Sequence, residues 1–300
     1  CGITSFVILA PIITHLHSDR RASKTLLYCA GVAGMISYVL LYPSPVVYST
    51  ITTLDLAAGQ PWGIDLIALP LSLLLLAGLL LAMRRRIPPA DDERETPAAG
   101  RSHRAWLPFA VIVGMLATGS LVPPLHALAN INLALLAGLV AALATVPGEV
   151  RERALHKGTK NAGIIIFDLA GAGALGGVIA ASTFPADVTA LASGYLPIII
   201  LPFVIAALVQ AAQGSRVVTA AVTSAILVTI PAVTAMNPLA LVLMVSAGAF
   251  MFSYVSDPFF WLLKRTTGDD FSAVVRNYTL PLSVAGLVTL AAALVVQTAL

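Results

Sequence analysis

Runs of about twenty apolar residues recur from one end of the chain to the other. A helix that rises ~1.5 Å per residue needs about 20 such residues to cross a ~30 Å hydrocarbon core. The runs are residues 2–14, 26–42, 64–83, 106–122, 128–146, 162–183, 191–212, 217–235, 239–255 and 280–296. This spacing predicts an all-α polytopic integral membrane protein with about ten transmembrane or re-entrant helical segments.

The composition and the pattern exclude other classes. Hydrophobic residues make up 58% of the chain and charged residues 10%, whereas soluble proteins carry roughly 25% charged residues. Strands of a membrane barrel alternate in polarity, but these runs are apolar on both faces. A signal peptide occurs once, at the N-terminus, but these runs continue to the C-terminus. The surface of the protein is therefore expected to contact a lipid bilayer.

The basic residues indicate how the segments are oriented. All 17 lysines and arginines lie in alternate connections between the runs, and Arg216 is the single basic residue after the seventh run. The positive-inside rule places such connections in the cytoplasm. The net charge of +3 therefore reflects membrane topology, and no nucleic-acid partner is expected.

A hydrophilic stretch near the first third of the chain predicts its domain organisation. Residues 84–105 are rich in Pro, charge and small residues, which is typical of a linker. Transporters built from two inverted halves have such linkers, although an ordinary cytoplasmic loop has the same composition. We expect residues 1–83 to be the end of a first transporter half whose N-terminus is missing, and residues 106–300 to be the second half.

The run 162–183 contains an acid followed by clustered glycines. Asp168 precedes Gly171, Gly173, Gly176 and Gly177. Such glycines allow close helix packing, or they interrupt a helix at mid-membrane so that its freed backbone groups bind a substrate. An intramembrane acid costs roughly 2.5–3.5 kcal/mol and is a functional candidate by default. We therefore favour an interrupted helix, with Asp168 as a proton carrier.

Two further interruptions contain polar groups. The sequence Tyr42-Pro43-Ser44-Pro45 cannot continue a helix, and it fits either a surface turn or a substrate-lining turn with Ser44. Near residue 214, hydroxyl side chains line up at helical spacing, and they can bond to their own helix or line a polar cavity. Gly214, Ser215 and Thr219 are the candidate substrate residues here. Arg216 fits either a basic loop residue or a partner for a substrate carboxylate.

The last interruption is centred on Asp257-Pro258. An Asp before a proline is typical of a helix cap, and the following Phe259, Phe260 and Trp261 fit an aromatic belt at the membrane surface. Asp257 is also the second candidate for the proton carrier. The sequence shows no catalytic nucleophile with a base and no cluster of metal ligands, so neither an active site nor a cofactor is expected.

The C-terminal stretch FSYVSDPFFWLLKRTTGDDFSAVVRNYTLPLSVAGL resembles the end of the gluconate permease (GntP) family of proton-linked sugar-acid transporters. Asp257, Phe260, Trp261, Leu262 and Lys264 match the family pattern. The glycines of residues 171–177, the pair Gly214-Ser215 and the turn at residues 42–45 resemble family elements that occur in the same order. Five positions depart from that pattern. Ser44 replaces a His, Arg216 an Ala, Ser256 an Asn and Pro258 a small residue, and the family pattern has no acid at the place of Asp168.

The resemblance implies a symporter in the bacterial cytoplasmic (inner) membrane, and not an enzyme. It would import a small organic anion, gluconate or a related hydroxy-acid, with protons in preference to sodium. Broken helices or hairpins are expected in each half, and a homo-oligomer is possible. The candidate substrate residues are Ser44, Gly171, Gly173, Gly176, Gly177, Gly214, Ser215 and Thr219, and the candidate proton-coupling residues are Asp168 and Asp257.

Two alternatives remain open from the sequence. A membrane enzyme that acts on a lipid or polyprenyl substrate needs paired acids, and the adjacent acids Asp91-Asp92 and Asp269-Asp270 lie in hydrophilic connections. A membrane scaffold that transports nothing would use the polar interruptions only for packing.

Overall fold

The computed structural model describes residues 6, 9–10, 13–14, 20–56, 62–84, 106–183, 187 and 196–299. This part of the chain is helical and contains no strand. Most of the linker predicted at residues 84–105 lies outside it. The expected division into two inverted transporter halves stays a prediction.

The described residues form a series of helices. In chain order they are α1 (Arg20–Leu40), α2 (Pro45–Thr53), α3 (Trp62–Met83), α4 (Leu107–Leu121), α5 (Ile131–Thr145), α6 (Gly148–Ala180), α7 (Leu201–Gln213), α8 (Arg216–Leu227), α9 (Pro231–Thr234), α10 (Pro238–Phe250), α11 (Pro258–Thr267), α12 (Phe271–Val274) and α13 (Leu280–Ala299). Short 3-10 helices cover Pro123–Ala129 and Ile198–Ile200. The π-helical turn Val275–Thr279 joins α12 to α13.

Three helical segments in the described part are long and apolar enough to cross a membrane. They are Arg21–Thr53, Gly63–Met83 and Phe271–Ala299. Other apolar helices are shorter, and α8 and α10 contain 12 and 13 residues. At ~1.5 Å per residue they extend only about 18–20 Å, less than the ~30 Å core. The predicted runs 217–235 and 239–255 are therefore divided within the protein rather than forming single spans.

Prolines and capping side chains determine where several helices begin. Four helices begin with a proline: Pro45, Pro231, Pro238 and Pro258. Proline has no backbone N–H, but the first N–H of a helix has no partner within the helix, so nothing is lost at this position. The predicted break at residues 42–45 is confirmed. There the Ser44 hydroxyl accepts a hydrogen bond from the Val47 amide at 3.2 Å and caps α2.

The glycine-rich stretch does not interrupt its helix. α6 runs for 33 residues and includes residues 171–177, so the prediction of a mid-membrane break there is wrong. Glycine lowers helix propensity by about 1 kcal/mol relative to Ala, but it keeps the amide that a proline would remove. The basic stretch before this run, expected to be a loop, is the first part of the same helix.

The chain forms two compact units, residues 1–90 with 167–300 and residues 91–166. In the larger unit α10 is central, and every residue from 240 to 250 is buried. It packs against α7 and α13. A Cβ at Gly248 would lie 2.6 Å from the Phe203 carbonyl oxygen, and one at Gly286 would lie 2.8 Å from the Ala247 carbonyl oxygen. Small residues therefore allow these backbones to approach closely.

The smaller unit contains α4, α5 and the 3-10 helix Pro123–Ala129. The helix α4 packs against both of the other elements. Gly119 permits the contact with the 3-10 helix, because a Cβ there would lie 2.1 Å from the Ala129 amide nitrogen.

Candidate functional site

Two helix breaks meet inside the larger unit. The first break separates α7 from α8 at Gly214, whose φ is 75°, and Ser215 then caps α8. The second break covers residues 251–257, between α10 and α11. A Cβ at Gly214 would lie only 2.0 Å from the Ser256 carbonyl oxygen. Glycine is therefore required twice here, by the left-handed backbone and by the direct contact between the two breaks.

A buried network of charged and hydroxyl groups joins the two breaks. Arg216 is the first residue of α8, and the two N–H groups of its Nη2 are shared among three acceptors: Oδ2 of Asp257 at 3.1 Å, Oγ of Ser253 at 2.8 Å and the hydroxyl of Tyr278 at 2.9 Å. The Tyr278 hydroxyl in turn donates to Oδ2 of Asp257 at 2.7 Å. The exposed fractions of the four residues are 5% or less. We call Arg216, Ser253, Asp257 and Tyr278 the arginine network.

Asp257 has a structural role and an electrostatic one. Its Oδ1 accepts a hydrogen bond from the Phe259 amide at 2.9 Å, so the predicted cap of α11 is confirmed. Its Oδ2 faces Arg216. The positive end of the α11 dipole also stabilises a carboxylate at this position. The expected aromatic belt is wrong for Phe259 and Phe260, which are buried, whereas Trp261 is partly exposed.

Arg216 lies in a different environment from that expected of a basic loop residue. Its guanidinium is buried against Asp257, and its Nε has no hydrogen-bond partner among the described residues. Buried donors are nearly always paired, because each unpaired one costs about 1–3 kcal/mol. The network therefore contains a cation with a donor that an additional acceptor can use.

Side-chain amides hold the turn between α7 and α8 in one conformation. Gln210 donates to the Gly214 carbonyl oxygen at 2.9 Å. The Thr219 hydroxyl donates to Oε1 of Gln210 at 2.7 Å and accepts from Nε2 of Gln213 at 2.8 Å. Thr219 thus bonds across the turn, and not to a carbonyl of its own helix. The turn and the start of α8 form one cross-linked piece.

Other hydroxyls of α8 stay without partners. Oγ1 of Thr223 and Oγ of Ser224 are buried and accept or donate no hydrogen bond within the described part of the chain. Thr223 lies seven residues after Arg216, so it follows the same face of the helix. Polar groups therefore continue along α8 from the arginine network.

The structure brings part of the predicted site together. Gly214, Ser215 and Thr219 lie at the break that faces Asp257. Ser44 caps α2, and α2 packs against α8. The backbone of residues 168–177 is helical, but the Asp168 side chain and the surroundings of Gly173, Gly176 and Gly177 lie outside the described residues. Gly171 is exposed there. The functional roles of all these residues stay predictions.

Sequence reasoning missed two members of the network. Ser253 and Tyr278 were not candidates, because isolated hydroxyl residues in apolar runs are common and carry no motif. Tyr278 lies 21 residues after Asp257, and a helix end at Thr267 lies between them, so no single helix carries both residues. Only the fold of the π-helical turn against the break at residues 251–257 brings them together.

Two further acids in the unit, Asp269 and Asp270, are bound to their own structural partners. Asp269 pairs with Nζ of Lys24 and accepts from the Tyr28 hydroxyl. Asp270 caps α12 through the Ala273 amide at 3.0 Å. A membrane enzyme that acts on a lipid or polyprenyl substrate would need the adjacent acids Asp269 and Asp270 to be available. Here both are already engaged in structural contacts. Asp91 and Asp92 lie outside the described residues.

An apolar cavity of about 810 Å³ lies between α1, α3 and α13. Its walls include Val32, Leu75 and Val284, with Arg276 at one edge. An apolar lining of this kind suits a hydrocarbon chain and offers few hydrogen-bonding groups to a polyhydroxy anion. We therefore place the candidate functional site at the arginine network.

Comparison with known proteins gives the family. A model of the GntP family permease matches residues 125–299, more than half of the chain. A permease of Haemophilus influenzae, described as uncharacterized, is 33% identical over 44% of this chain and 28% of its own length. The Gnt-II system L-idonate transporter of Escherichia coli K12 is 32% identical over 39% of this chain and 27% of its own length.

The chain thus matches less than a third of the length of these two relatives. No solved structure matches it. Both relatives are transport proteins by description, and the family match agrees with the apolar helices. The predictions of an all-α, multi-pass membrane protein and of a non-enzyme are confirmed. The chain belongs to the GntP family of permeases.

Proposed function

We propose that the protein is a secondary transporter that imports a sugar-acid anion, gluconate, idonate or a related hydroxy-acid, together with protons. The observation that carries this proposal is the buried ion pair of Arg216 and Asp257 where two helix breaks meet. The family and the L-idonate transporter among its relatives support a sugar-acid substrate. The bacterial inner membrane and a homo-oligomer are part of the same proposal.

The charges around the network suit a carboxylate. Arg216 supplies a planar guanidinium, which binds carboxylates well. The N-termini of α8 and α11 both lie at the network, and helix N-termini carry a partial positive charge. Broken helices whose N-terminal ends face a substrate carboxylate are the arrangement that many secondary transporters use. Gly214 and Ser215 lie at the same break, but their amides already donate to the Gln210 carbonyl oxygen and to Oε1 of Gln213, so Arg216 is the donor on which the proposal rests.

Two acids are candidates for the coupled proton. Asp257 is in the network, and Asp168 lies on α6. If Asp168 carries the proton, an Asp168→Asn variant of the full-length protein takes up substrate without responding to the pH gradient. Wild-type proton dependence in that variant removes Asp168 from the mechanism and leaves Asp257.

Uptake by purified full-length protein in proteoliposomes tests the function. Labelled gluconate and idonate are offered with an inward proton gradient, with an inward sodium gradient and with neither. We expect accumulation that depends on the proton gradient, and competition by other hydroxy-acids. Absence of uptake for a broad panel of acids contradicts the proposal, and accumulation that requires sodium contradicts the coupling ion. Protein-free liposomes under the same gradients are the control for leakage.

A further inference from the structure

The arginine network is electrically neutral in the form that the structure describes. It contains one guanidinium and one carboxylate, 3.1 Å apart, and the side chains are 4% and 2% exposed. The other ionisable group in contact with Asp257 among the described residues is Tyr278, from the π-helical turn. The helix α1, which packs against α11, carries Lys24 and Tyr28, but these bind Asp269.

A substrate carboxylate cannot simply be added to this network. It would bring a second negative charge next to one guanidinium, and an uncompensated charge in a buried site costs several kcal/mol. Two carboxylates that share one site disfavour each other's charge, and one of them takes up a proton. One proton for each bound carboxylate restores the original net charge.

We propose that Arg216 and Asp257 are an exchange pair that couples the anion to the proton. This inference rests on the proposed function, since it assumes a carboxylate substrate. The substrate carboxylate replaces Asp257 on the guanidinium of Arg216, and Asp257 takes one proton from water at the open side of the membrane. On release, the substrate leaves, Asp257 loses the proton and the ion pair forms again.

The geometry provides for such an exchange. Nε of Arg216 is a buried donor without a partner, so the guanidinium can offer it to an incoming carboxylate together with a second N–H. Asp257 keeps its place as it becomes neutral, because its Oδ1 still accepts from the Phe259 amide. The Tyr278 hydroxyl contacts both charged groups and can bond to either form of the acid.

The contacts that must open lie between the two breaks. Besides the network itself, the Ser256 hydroxyl donates to the Ala211 carbonyl oxygen at 3.0 Å. Glutamines hold the turn at Gly214 as one piece, and the break at residues 251–257 is held by Thr279 on the Ser253 carbonyl oxygen and by Trp261 on the Val255 carbonyl oxygen. Phe252 within that break has a φ of 53°, a conformation that is strained for a bulky residue. Strain of this kind often occurs at sites that change conformation.

The first measurement needs no variant. Purified full-length protein in weakly buffered detergent solution is mixed with gluconate or idonate, and proton uptake is followed with a pH indicator. We expect about one proton for each anion bound, and binding that tightens about tenfold per pH unit as the pH falls from about 7.5 to 5.5. Binding without proton uptake overturns the proposal.

Variants then assign the proton to Asp257. Asp257→Asn keeps the oxygen that caps α11 but takes up no proton, so we expect it to bind the anion with no dependence on pH. In proteoliposomes it exchanges internal for external substrate but does not accumulate it. Asp270→Asn is the matched control, since it changes an exposed capping Asp in the same way, and it keeps the wild-type pH dependence. Full pH dependence in Asp257→Asn overturns the proposal.

A second pair of variants tests the role of Arg216 and controls for folding. Arg216→Gln is expected to lose anion binding by at least a hundredfold at every pH. The double variant Arg216→Gln, Asp257→Asn carries no buried charge in the network, so its loss of stability should be smaller than the sum of the two single losses, and it should still not bind. Wild-type affinity in Arg216→Gln overturns the proposal.

These outcomes separate the two proposals. A wild-type protein that neither binds nor imports any sugar acid contradicts the proposed function. A wild-type protein that imports one with protons, but whose proton dependence survives in Asp257→Asn or is lost only in Asp168→Asn, contradicts the exchange pair alone.

Discussion

The buried ion pair of Arg216 and Asp257 predicts a large energetic coupling between two distant positions. The atoms are 3.1 Å apart and the side chains nearly inaccessible, and at an effective dielectric constant of ~20 their attraction is about 5 kcal/mol. Removing one partner leaves the other charge buried, which costs about 3–5 kcal/mol. We therefore expect Arg216→Met and Asp257→Asn each to lower the free energy of unfolding by about this amount.

The double variant distinguishes coupling from two separate defects. Since it leaves no unpaired charge, its loss of stability should be smaller than the sum of the single losses by about 2–3 kcal/mol. The free energy of unfolding is measured by reversible titration with a denaturing detergent. The matched control is the pair of Lys24 and Asp269, whose side chains are 27% and 17% exposed, with an expected coupling of about 0.2–1 kcal/mol.

Additive losses would refute this reasoning. If Arg216→Met and Asp257→Asn combine to the sum of the single values within about 0.5 kcal/mol, the two groups do not interact. The exchange pair would then lose its physical basis. A control pair that couples as strongly as the buried pair would show that burial is not the cause.

Three further predictions use the same titration. Tyr278→Phe removes a hydroxyl that serves both charged groups and should cost about 1.5–3 kcal/mol, whereas wild-type stability would mean that these bonds contribute nothing. Gly214→Ala forces a Cβ into a left-handed turn and against the opposite break, and it should lower the free energy of unfolding by about 2–5 kcal/mol. Gly171→Ala is the control, because open space surrounds that glycine, and it should not destabilise the protein. Bonds from the Ala273 amide and the neighbouring hydroxyl lower the pKa of Asp270 below its ordinary value of 3.8, so its stabilising effect is present above that pH and is lost as the pH falls further. Asp270→Asn should therefore lose less stability than the wild type between about pH 6 and pH 3, and equal acid losses would contradict this.

Local sequence signals predicted several details of the fold. Two prolines within three residues place the break before α2, and Ser44 is the cap that this position favours. The motif Asp257-Pro258 gave the start of α11 for the same reason. These features depend on backbone chemistry within a few residues, and the surrounding fold does not change them.

The glycine-rich stretch shows the limit of such signals. Glycine permits a break but does not require one, so residues 171–177 are compatible with both a broken and a continuous helix. In the structure α6 is continuous through them. At Gly214 the same residue type does end a helix, because the chain turns back there against Ser256.

The sequence by itself determined that this protein is a bundle of apolar helices in a bilayer. The length and polarity of the runs leave the backbone no other way to satisfy its hydrogen bonds in lipid. Only the tertiary structure decided the role of Arg216. Its partners Ser253, Asp257 and Tyr278 lie 37, 41 and 62 residues further along the chain. An ion pair depends on distance and burial in the folded protein, and neither is contained in the local sequence around an arginine.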